Sequence, residues 1–316
     1  LAILTIFALL PGAALAEYDG DVLCEYVMLL DADSGLVLYE KNADEQTYPA
    51  STTKIMTCLI VLENCENIRT EKVTVGSIVN DYGPGNSLMG LVEGEELTVR
   101  DLLYGLMLPS GNDAAAVLAE HFGGSLEGFA ELMNQKAEEL GMTHTHYVTP
   151  HGLHDDEHYT TASDMAILVR YAMQNGDLMA IVGTSKYTVP ETNKQPERTI
   201  YNTNRFLSAK SQYQDFVWDV VTGMKTGFTN PAGGCLVTTA TDDGKNLICI
   251  TLGDFTGGNE GRWKDARNLL EYGFEALQHV DLSTLTYDAP EVEVDGASNA
   301  DAGGGVLGLT LDMEGS

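Results

Sequence analysis

The sequence predicts an α+β fold in which N-terminal and C-terminal strands share one antiparallel sheet that packs with a helical region. Two observations support this fold class: β-prone runs bounded by turn residues lie near both ends of the chain, and helix signals fill the middle. The chain has 316 residues, of which 44% are hydrophobic, so it can bury a sizeable core.

Two β-hairpins are predicted, one towards each end. The four strands are Tyr26–Leu30 with Leu36–Glu40, and Cys235–Thr241 with Asn246–Leu252. Asp31–Gly35 and Asp242–Lys245 supply the turn residues between them. The β-prone residues Val217–Val221 predict a further strand ahead of the second hairpin.

The middle of the chain predicts helices. Ser51–Leu62 leaves few polar positions, which indicates a helix buried on most sides. Thr98 and Asp101 resemble a capping box for a helix running to about Met107. Further helices are predicted over Asn112–Phe122, Ser125–Leu140, Ser163–Asn175 and Trp263–Gln278, the first three ended by Gly123-Gly124, Gly141 and Gly176.

The two ends of the chain differ from the rest in composition. Leu1–Leu10 is almost wholly apolar and small residues follow as far as Ala16, as at a secretory cleavage site. We expect residues 1–16 to be a signal peptide whose first residues are missing, the alternative being a buried N-terminal element. Residues 281–316 hold eight acids and no lysine or arginine. We expect them to be a linker or the truncated start of a small β domain, after a main domain over 17–280.

Charge and cysteine content limit the partners. Lysine and arginine number 17 against 47 acids, a net charge of −30, which repels nucleic acid and anionic lipid. A pocket for a carboxylate must therefore carry its own cations. The five cysteines lack C-x-x-C spacing, so we expect no disulfide and no zinc ribbon.

Three short motifs hold the candidate catalytic and binding residues. Ser51 and Lys54 are three residues apart, so the hydroxyl can approach the amine, and apolar neighbours of Lys54 favour its neutral, basic form. Ser110-Gly111-Asn112 offers a hydroxyl and an amide on a helix-entry loop. Lys225-Thr226-Gly227, on or beside a strand, offers a cation and a hydroxyl to a carboxylate, and its glycine allows close approach. Taken singly, each motif also has an ordinary structural interpretation.

Taken in this order, the motifs match the signature S-x-x-K, S-D-N and K-T-G of class A β-lactamases and penicillin-binding proteins, with Ser-Gly-Asn in second place. The chain resembles in particular the low-molecular-mass penicillin-binding proteins that are serine-type D-alanyl-D-alanine carboxypeptidases. The resemblance lies in Pro49–Thr57, Asp101–Leu106, Ser110–Ala115, Pro150–Leu153, His158–Ala162, Gly223–Thr229 and Leu269–Phe274. It extends over about residues 24 to 278 and implies a β-lactamase/transpeptidase-like fold.

The resemblance implies an acyl-enzyme mechanism without metal or organic cofactor. Ser51 would attack the penultimate D-alanine carbonyl, Lys54 would accept the serine proton, and Ser110 would relay a proton to the leaving D-alanine. The implied binding groups are Asn112 for the peptide chain, Lys225, Thr226 and Arg262 for the terminal carboxylate, Gly227 for close approach, and the N–H groups of Ser51 and Phe228 for the oxyanion.

The implied function is removal of the terminal D-alanine from peptidoglycan stem peptides outside the cytoplasm, in cell wall biogenesis and cell shape. Stem peptides ending in D-Ala-D-Ala and covalently inhibiting β-lactams are the implied partners. Family members often rest on the membrane through an amphipathic C-terminal helix, which here would lie beyond Ser316. Gly83–Met89 matches the family's glycine-serine segment only loosely.

Four alternatives stay open at this point. A D,D-endopeptidase would use the same residues on cross-links. A class A β-lactamase needs a glutamate for deacylation, and Glu157 and Glu191 show no matching context. A metallopeptidase is suggested by five histidines within residues 144–158, although no H-E-x-x-H occurs, and we expect an exposed loop with structural or solvent-facing histidines. A wall-binding module without catalysis would keep the fold, but all three motifs are intact.

Overall fold

The computed structural model describes residues 18–208, 210–258 and 260–279. The predicted signal peptide and the acidic segment 281–316 lie outside these residues. The strands are β1 (Tyr26–Asp31), β2 (Val37–Lys41), β3 (Lys72–Thr74), β4 (Glu96–Thr98), β5 (Lys186–Val189), β6 (Arg198–Tyr201), β7 (Val221–Thr229), β8 (Gly233–Asp242) and β9 (Lys245–Asp254). The helices are α1 (Lys54–Asn64), α2 (Val99–Met107), α3 (Asn112–Gly123), α4 (Leu126–Leu140), α5 (Ala162–Ala172), α6 (Gly176–Val182) and α7 (Gly261–His279).

The main sheet joins both ends of the described chain. Its five strands run in the order β2-β1-β9-β8-β7, with every neighbouring pair antiparallel. The N-terminal hairpin meets the C-terminal hairpin through β1 and β9, where Tyr26 pairs with Leu252 and Asp31 with Leu247. The predicted α+β fold, with one sheet built from both ends, is confirmed.

Helices cover both faces of this sheet. Along β1, Val27 and Leu29 pack into one apolar cluster with α7, whereas Met28 and Leu30 pack into the other with α1 and α5. Successive side chains of a strand point to opposite faces, so a strand covered on both sides becomes a continuous apolar run. That is why the central strands show no polar alternation.

Local signals in the sequence set most element ends. Thr98 and Asp101 form the expected capping box at α2, and Gly124 and Gly141 end α3 and α4 in the left-handed conformation. The turn between β8 and β9 consists of Asp243 and Gly244, both with positive φ, as a two-residue hairpin requires. All five cysteines are free thiols.

Three predicted boundaries are wrong. Residues 50–53 form a 3₁₀ turn, so α1 begins at Lys54 and Ser51 precedes the α-helix. Gly176 does not follow a helix: α5 ends at Ala172, and Gly176 starts α6 because the side chain of Asn175 accepts the Leu178 N–H as an N-cap. The strand predicted over Val217–Val221 begins only at Val221.

The fold brings the three motifs to one place. The edge strand β7, which carries Lys225-Thr226-Gly227, packs against the 3₁₀ turn that carries Ser51 and against α1. Helix α1 also packs against α2 and α3, and Ser110 and Gly111 lie between those two helices. The motifs therefore meet beside β7.

Candidate active site

Lys54 joins the first and second motifs. Its Nζ lies 3.1 Å from Ser51 Oγ, as the three-residue spacing predicts, and donates to Asn112 Oδ1 at 2.8 Å and to the His151 carbonyl at 2.7 Å. The side chain is fully buried, and no acidic group contacts the amine among the hydrogen bonds and ion pairs of the described residues.

Burial decides the charge of Lys54. Desolvation, together with the charge of Lys225, lowers the pKa of Lys54 well below its ordinary value, while Asp113 acts in the opposite direction. A neutral amine has two N–H bonds and one lone pair. If the two N–H bonds serve Asn112 and His151, the lone pair remains for the proton of Ser51, so the arrangement can generate a serine nucleophile.

Ser110 is buried in a strained conformation. It has a φ of 64°, in the left-handed region that residues other than glycine seldom adopt. Its Oγ makes no hydrogen bond to any described residue, including Ser51 and Lys54. A buried hydroxyl without a partner and a strained backbone both cost free energy, and such features cluster at functional sites.

The third motif carries the cations of the site. Lys225 is 1% exposed and donates to the Thr226 carbonyl at 3.0 Å. Burial, and secondarily the charge of Arg262, lowers the pKa of Lys225 to about 7. Arg262 Nη1 donates to the Gly227 carbonyl at 2.8 Å, which places the guanidinium at this motif. Within the described residues neither cation has a salt bridge, so both can receive an anion.

Gly227 allows β7 to approach Ser51 closely. A Cβ on this residue would lie 2.9 Å from Ser51 N, so only glycine fits without a shift of the 3₁₀ turn. Phe228 follows on β7 with half of its surface exposed. The Ser51 N–H and the β7 backbone are therefore close together, as an oxyanion hole requires.

The loosely matching segment Gly83–Met89 lies against the second motif. The Asn112 N–H donates to the Ser87 carbonyl at 2.8 Å, and Asn112 Nδ2 donates to Asn86 Oδ1 at 3.1 Å. The carboxylate of Asp113 accepts from the N–H groups of residues 89–91 at 2.8 to 3.0 Å. Asp113 thus holds this loop beside Asn112.

Three groups of the site are absent from the sequence prediction. Asp113 is an acid in the first turn of a helix, a position that sequence rules favour. His151 takes part through its backbone carbonyl, which residue type does not reveal. Thr203, whose Oγ1 lies 2.7 Å from Thr226 Oγ1, comes from the loop after β6 and carries no local signal.

The histidine-rich segment corrects a sequence expectation. His151 and His158 are buried, 5% and 2% exposed, so the expected exposed loop is wrong for both. Burial lowers their pKa values to about 3 and about 4. Across the parts of the chain that the structure describes, no group of three histidine, cysteine or acidic side chains could hold a metal ion.

Comparisons with known proteins agree on a family. The family model described as D-alanyl-D-alanine carboxypeptidase matches residues 13–256. The D-alanyl-D-alanine carboxypeptidase DacF of Bacillus subtilis is 34% identical over 275 residues, 84% of this chain and 67% of the relative. DacC of Escherichia coli is 37% identical over 260 residues, which cover 80% and 62% of the two chains. The crystal structure of the Streptomyces K15 DD-transpeptidase superposes with a TM-score of 0.73 at 33% identity, covering 81% of this chain and 98% of that chain.

The chain spans 61% to 67% of the length of the first curated relatives. The family match itself covers more than half of the chain, and the solved relative shares the fold over nearly its whole length. The chain therefore belongs to the D-alanyl-D-alanine carboxypeptidase family, peptidase family S11.

Proposed function

We propose that this protein removes the terminal D-alanine from peptidoglycan stem peptides through a serine acyl-enzyme. The observation that carries the proposal is the fully buried Lys54 amine, 3.1 Å from Ser51 Oγ, with its other hydrogen bonds taken by Asn112 and His151. A base of this kind, next to a hydroxyl on the 3₁₀ turn that leads into a buried helix, is what acyl transfer needs.

The reaction has two steps, acylation of Ser51 and hydrolysis of the acyl-enzyme. The Ser51 proton passes to Lys54 Nζ as Oγ bonds to the carbonyl carbon, and the N–H groups of Ser51 and Phe228 stabilise the oxyanion. The C–N bond then breaks, and Ser110 passes a proton from Lys54 to the leaving D-alanine nitrogen. Water then attacks the ester carbonyl as Lys54 takes one of its protons, and Lys54 returns this proton to Ser51 Oγ as the ester C–O bond breaks and the shortened peptide leaves.

Substrate recognition follows from the cations. Lys225 and Arg262 attract the terminal carboxylate and Thr226 donates to it, while the Asn112 amide holds the peptide chain. In a chain of net charge −30, local cations are what allows an anionic substrate to bind.

β-Lactams fit the same mechanism. Attack by Ser51 on the lactam carbonyl opens the ring and leaves a covalent penicilloyl-enzyme, with the lactam carboxylate at Lys225. We expect the protein to act outside the cytoplasm after export by the segment 1–16. Among the described residues, no helix is long and apolar enough to cross a membrane.

The test is intact-protein mass spectrometry of the chain incubated with penicillin, with Ser51→Ala and Lys54→Met beside the wild type. We expect one stable adduct on the wild type, none on Ser51→Ala, and acylation slowed about 100- to 10,000-fold in Lys54→Met, which fills the same space without a base. An adduct retained by Ser51→Ala, or a folded wild type that never reacts, would contradict the proposal.

The fate of the acyl-enzyme separates related activities. Similarity to a DD-transpeptidase favours a second candidate, in which an amine replaces water as acceptor. Product analysis with a D-Ala-D-Ala peptide, an added amine acceptor and cross-linked wall fragments distinguishes carboxypeptidase, transpeptidase and endopeptidase.

Rapid penicillin turnover without an adduct would instead indicate a class A β-lactamase. Glu157 and Glu191, its candidate bases, are exposed and make no hydrogen bond to a site residue.

A further inference from the structure

His158 is a buried histidine that the mechanism above does not use. Its Nδ1 accepts hydrogen bonds from the backbone N–H groups of Val148 at 3.0 Å and Thr149 at 3.2 Å. A backbone N–H can only donate, so Nδ1 carries no proton. The neutral ring must then hold its single proton on Nε2.

This tautomer gives direction to a hydrogen-bond chain. His158 Nε2 lies 2.8 Å from Thr53 Oγ1, so the ring donates and the Thr53 hydroxyl accepts. The hydroxyl proton of Thr53 is thereby free for the Ala50 carbonyl, 2.7 Å away. This hydrogen-bond chain runs from the backbone N–H groups of residues 148 and 149, through the side chains of His158 and Thr53, to the carbonyl of Ala50, the residue before Ser51.

Ala50 is the point where such a chain affects the nucleophile. It has a φ of 48°, which an alanine adopts only when its surroundings hold it there. Its carbonyl is also in contact with Gly152, where any Cβ would overlap it. The orientation of the Ala50–Ser51 peptide determines where Ser51 Oγ and the Ser51 N–H point.

We propose that His158 and Thr53 are positioning residues for Ser51 and act through the Ala50 carbonyl. Neither forms a hydrogen bond with Ser51 Oγ or Lys54 Nζ among the described residues, so their effect on the reaction is one of geometry. The inference rests on the proposed function, because acylation of Ser51 is the step that this hydrogen-bond chain supports.

The substitution that tests this hydrogen-bond chain is Thr53→Val, which keeps the shape of the residue and removes the hydroxyl. Thr57→Val is the matched control: Thr57 is equally buried, lies about one turn further along the chain on α1, and its Oγ1 donates to the Pro150 carbonyl at 2.6 Å, away from Ala50. Thr53→Ser keeps the hydroxyl and is the rescue variant.

Penicillin binding and acylation are resolved by stopped-flow kinetics, together with the melting temperature of each variant. We expect Thr53→Val to lower the acylation rate constant about 10- to 100-fold with the dissociation constant of the initial complex unchanged. Thr53→Ser and Thr57→Val should acylate within about threefold of the wild type, even though Thr57→Val loses stability. If Thr53→Val does not fold, Thr53→Ala against Thr53→Ser makes the same comparison.

Nitrogen NMR of the imidazole supplies a second readout. We expect His158 to be neutral at pH 7 with its proton on Nε2, and the Nε2 shift to change in Thr53→Val. A proton on Nδ1, wild-type acylation in the variants without a hydroxyl, or equal slowing in Thr57→Val would overturn the inference. A folded wild type that forms no adduct contradicts the proposed function, whereas the imidazole tautomer still reports on the hydrogen-bond chain.

Discussion

Two lysines, Lys54 and Lys225, are among the most deeply buried side chains of this acidic protein. Charged groups are costly to bury, so the protein responds through their pKa values, which burial lowers in both. Lys54 is next to Ser51, the proposed nucleophile, where a neutral amine is useful. Lys225 keeps its positive charge only up to about neutral pH, and this limits how well it holds an anion.

The Lys225 ammonium predicts a pH-dependent affinity. A lysine is charged below its pKa, so with a pKa of about 7 the cation is lost as pH rises through 7. We expect the KM for a D-Ala-D-Ala peptide to increase steadily above pH 7. In Lys225→Arg this increase should be absent, because a guanidinium stays charged. A KM that is flat in the wild type, or equally steep in the variant, would contradict the assignment.

At the scale of elements, glycine and polar caps decide where chains turn. Residues 173–177 illustrate the limit of sequence rules, because Asn175-Gly176 suits both the end of one helix and the beginning of the next. The hydrogen bond from the Leu178 N–H to Asn175 Oδ1 selects the second. Gly152 and Gly244 have nearly the same φ, 77° and 75°, but different surroundings.

These two glycines make a matched pair of substitutions. Gly244→Ala enters open space at the β8–β9 turn, so we expect only backbone strain, about 1 kcal/mol of unfolding free energy, and normal acylation. Gly152→Ala places a Cβ onto the Ala50 carbonyl, so we expect a larger loss of stability and slower penicillin acylation. Urea unfolding and acylation kinetics measure both effects. Equal behaviour of the two variants would show that the contact between Gly152 and the Ala50 carbonyl is unimportant.

At the scale of the whole molecule, the loop before α5 ties distant parts together. Thr57 donates to the Pro150 carbonyl, Lys54 donates to the His151 carbonyl, and the Thr47 and Thr160 backbones pair. His151 and His158 are buried within this loop in the neutral form. Protonation of either ring therefore opposes the folded state.

The two histidines predict a loss of stability in mild acid. Their pKa is about 3 and about 4 when folded and about 6.5 in the unfolded chain, so below pH 6.5 only the unfolded state takes up the protons. Their contribution is complete above pH 6.5 and is lost as pH falls towards 3. Between pH 7 and pH 5, each histidine should lower the free energy of unfolding by about 2 kcal/mol.

Urea unfolding at pH 7 and pH 5 checks this expectation, with His158→Gln as the comparison. The wild type should lose about 2 kcal/mol more than the variant between the two pH values, because glutamine does not titrate. An identical loss in both proteins would remove His158 from the acid response.

The sequence by itself determined the fold class, most boundaries of the elements it predicted and the motifs, because apolar β-prone runs, capping residues and motif spacing are local properties. Ser51, Lys54, Ser110 and Lys225 could be named from their order along the chain. Only the tertiary structure decided that Lys54 bonds to the His151 carbonyl and that His158 is buried against Thr53, since these contacts join residues about a hundred positions apart. Every residue has a backbone carbonyl, so residue type does not show which carbonyl accepts a hydrogen bond, and the burial of a side chain depends on how the whole chain packs.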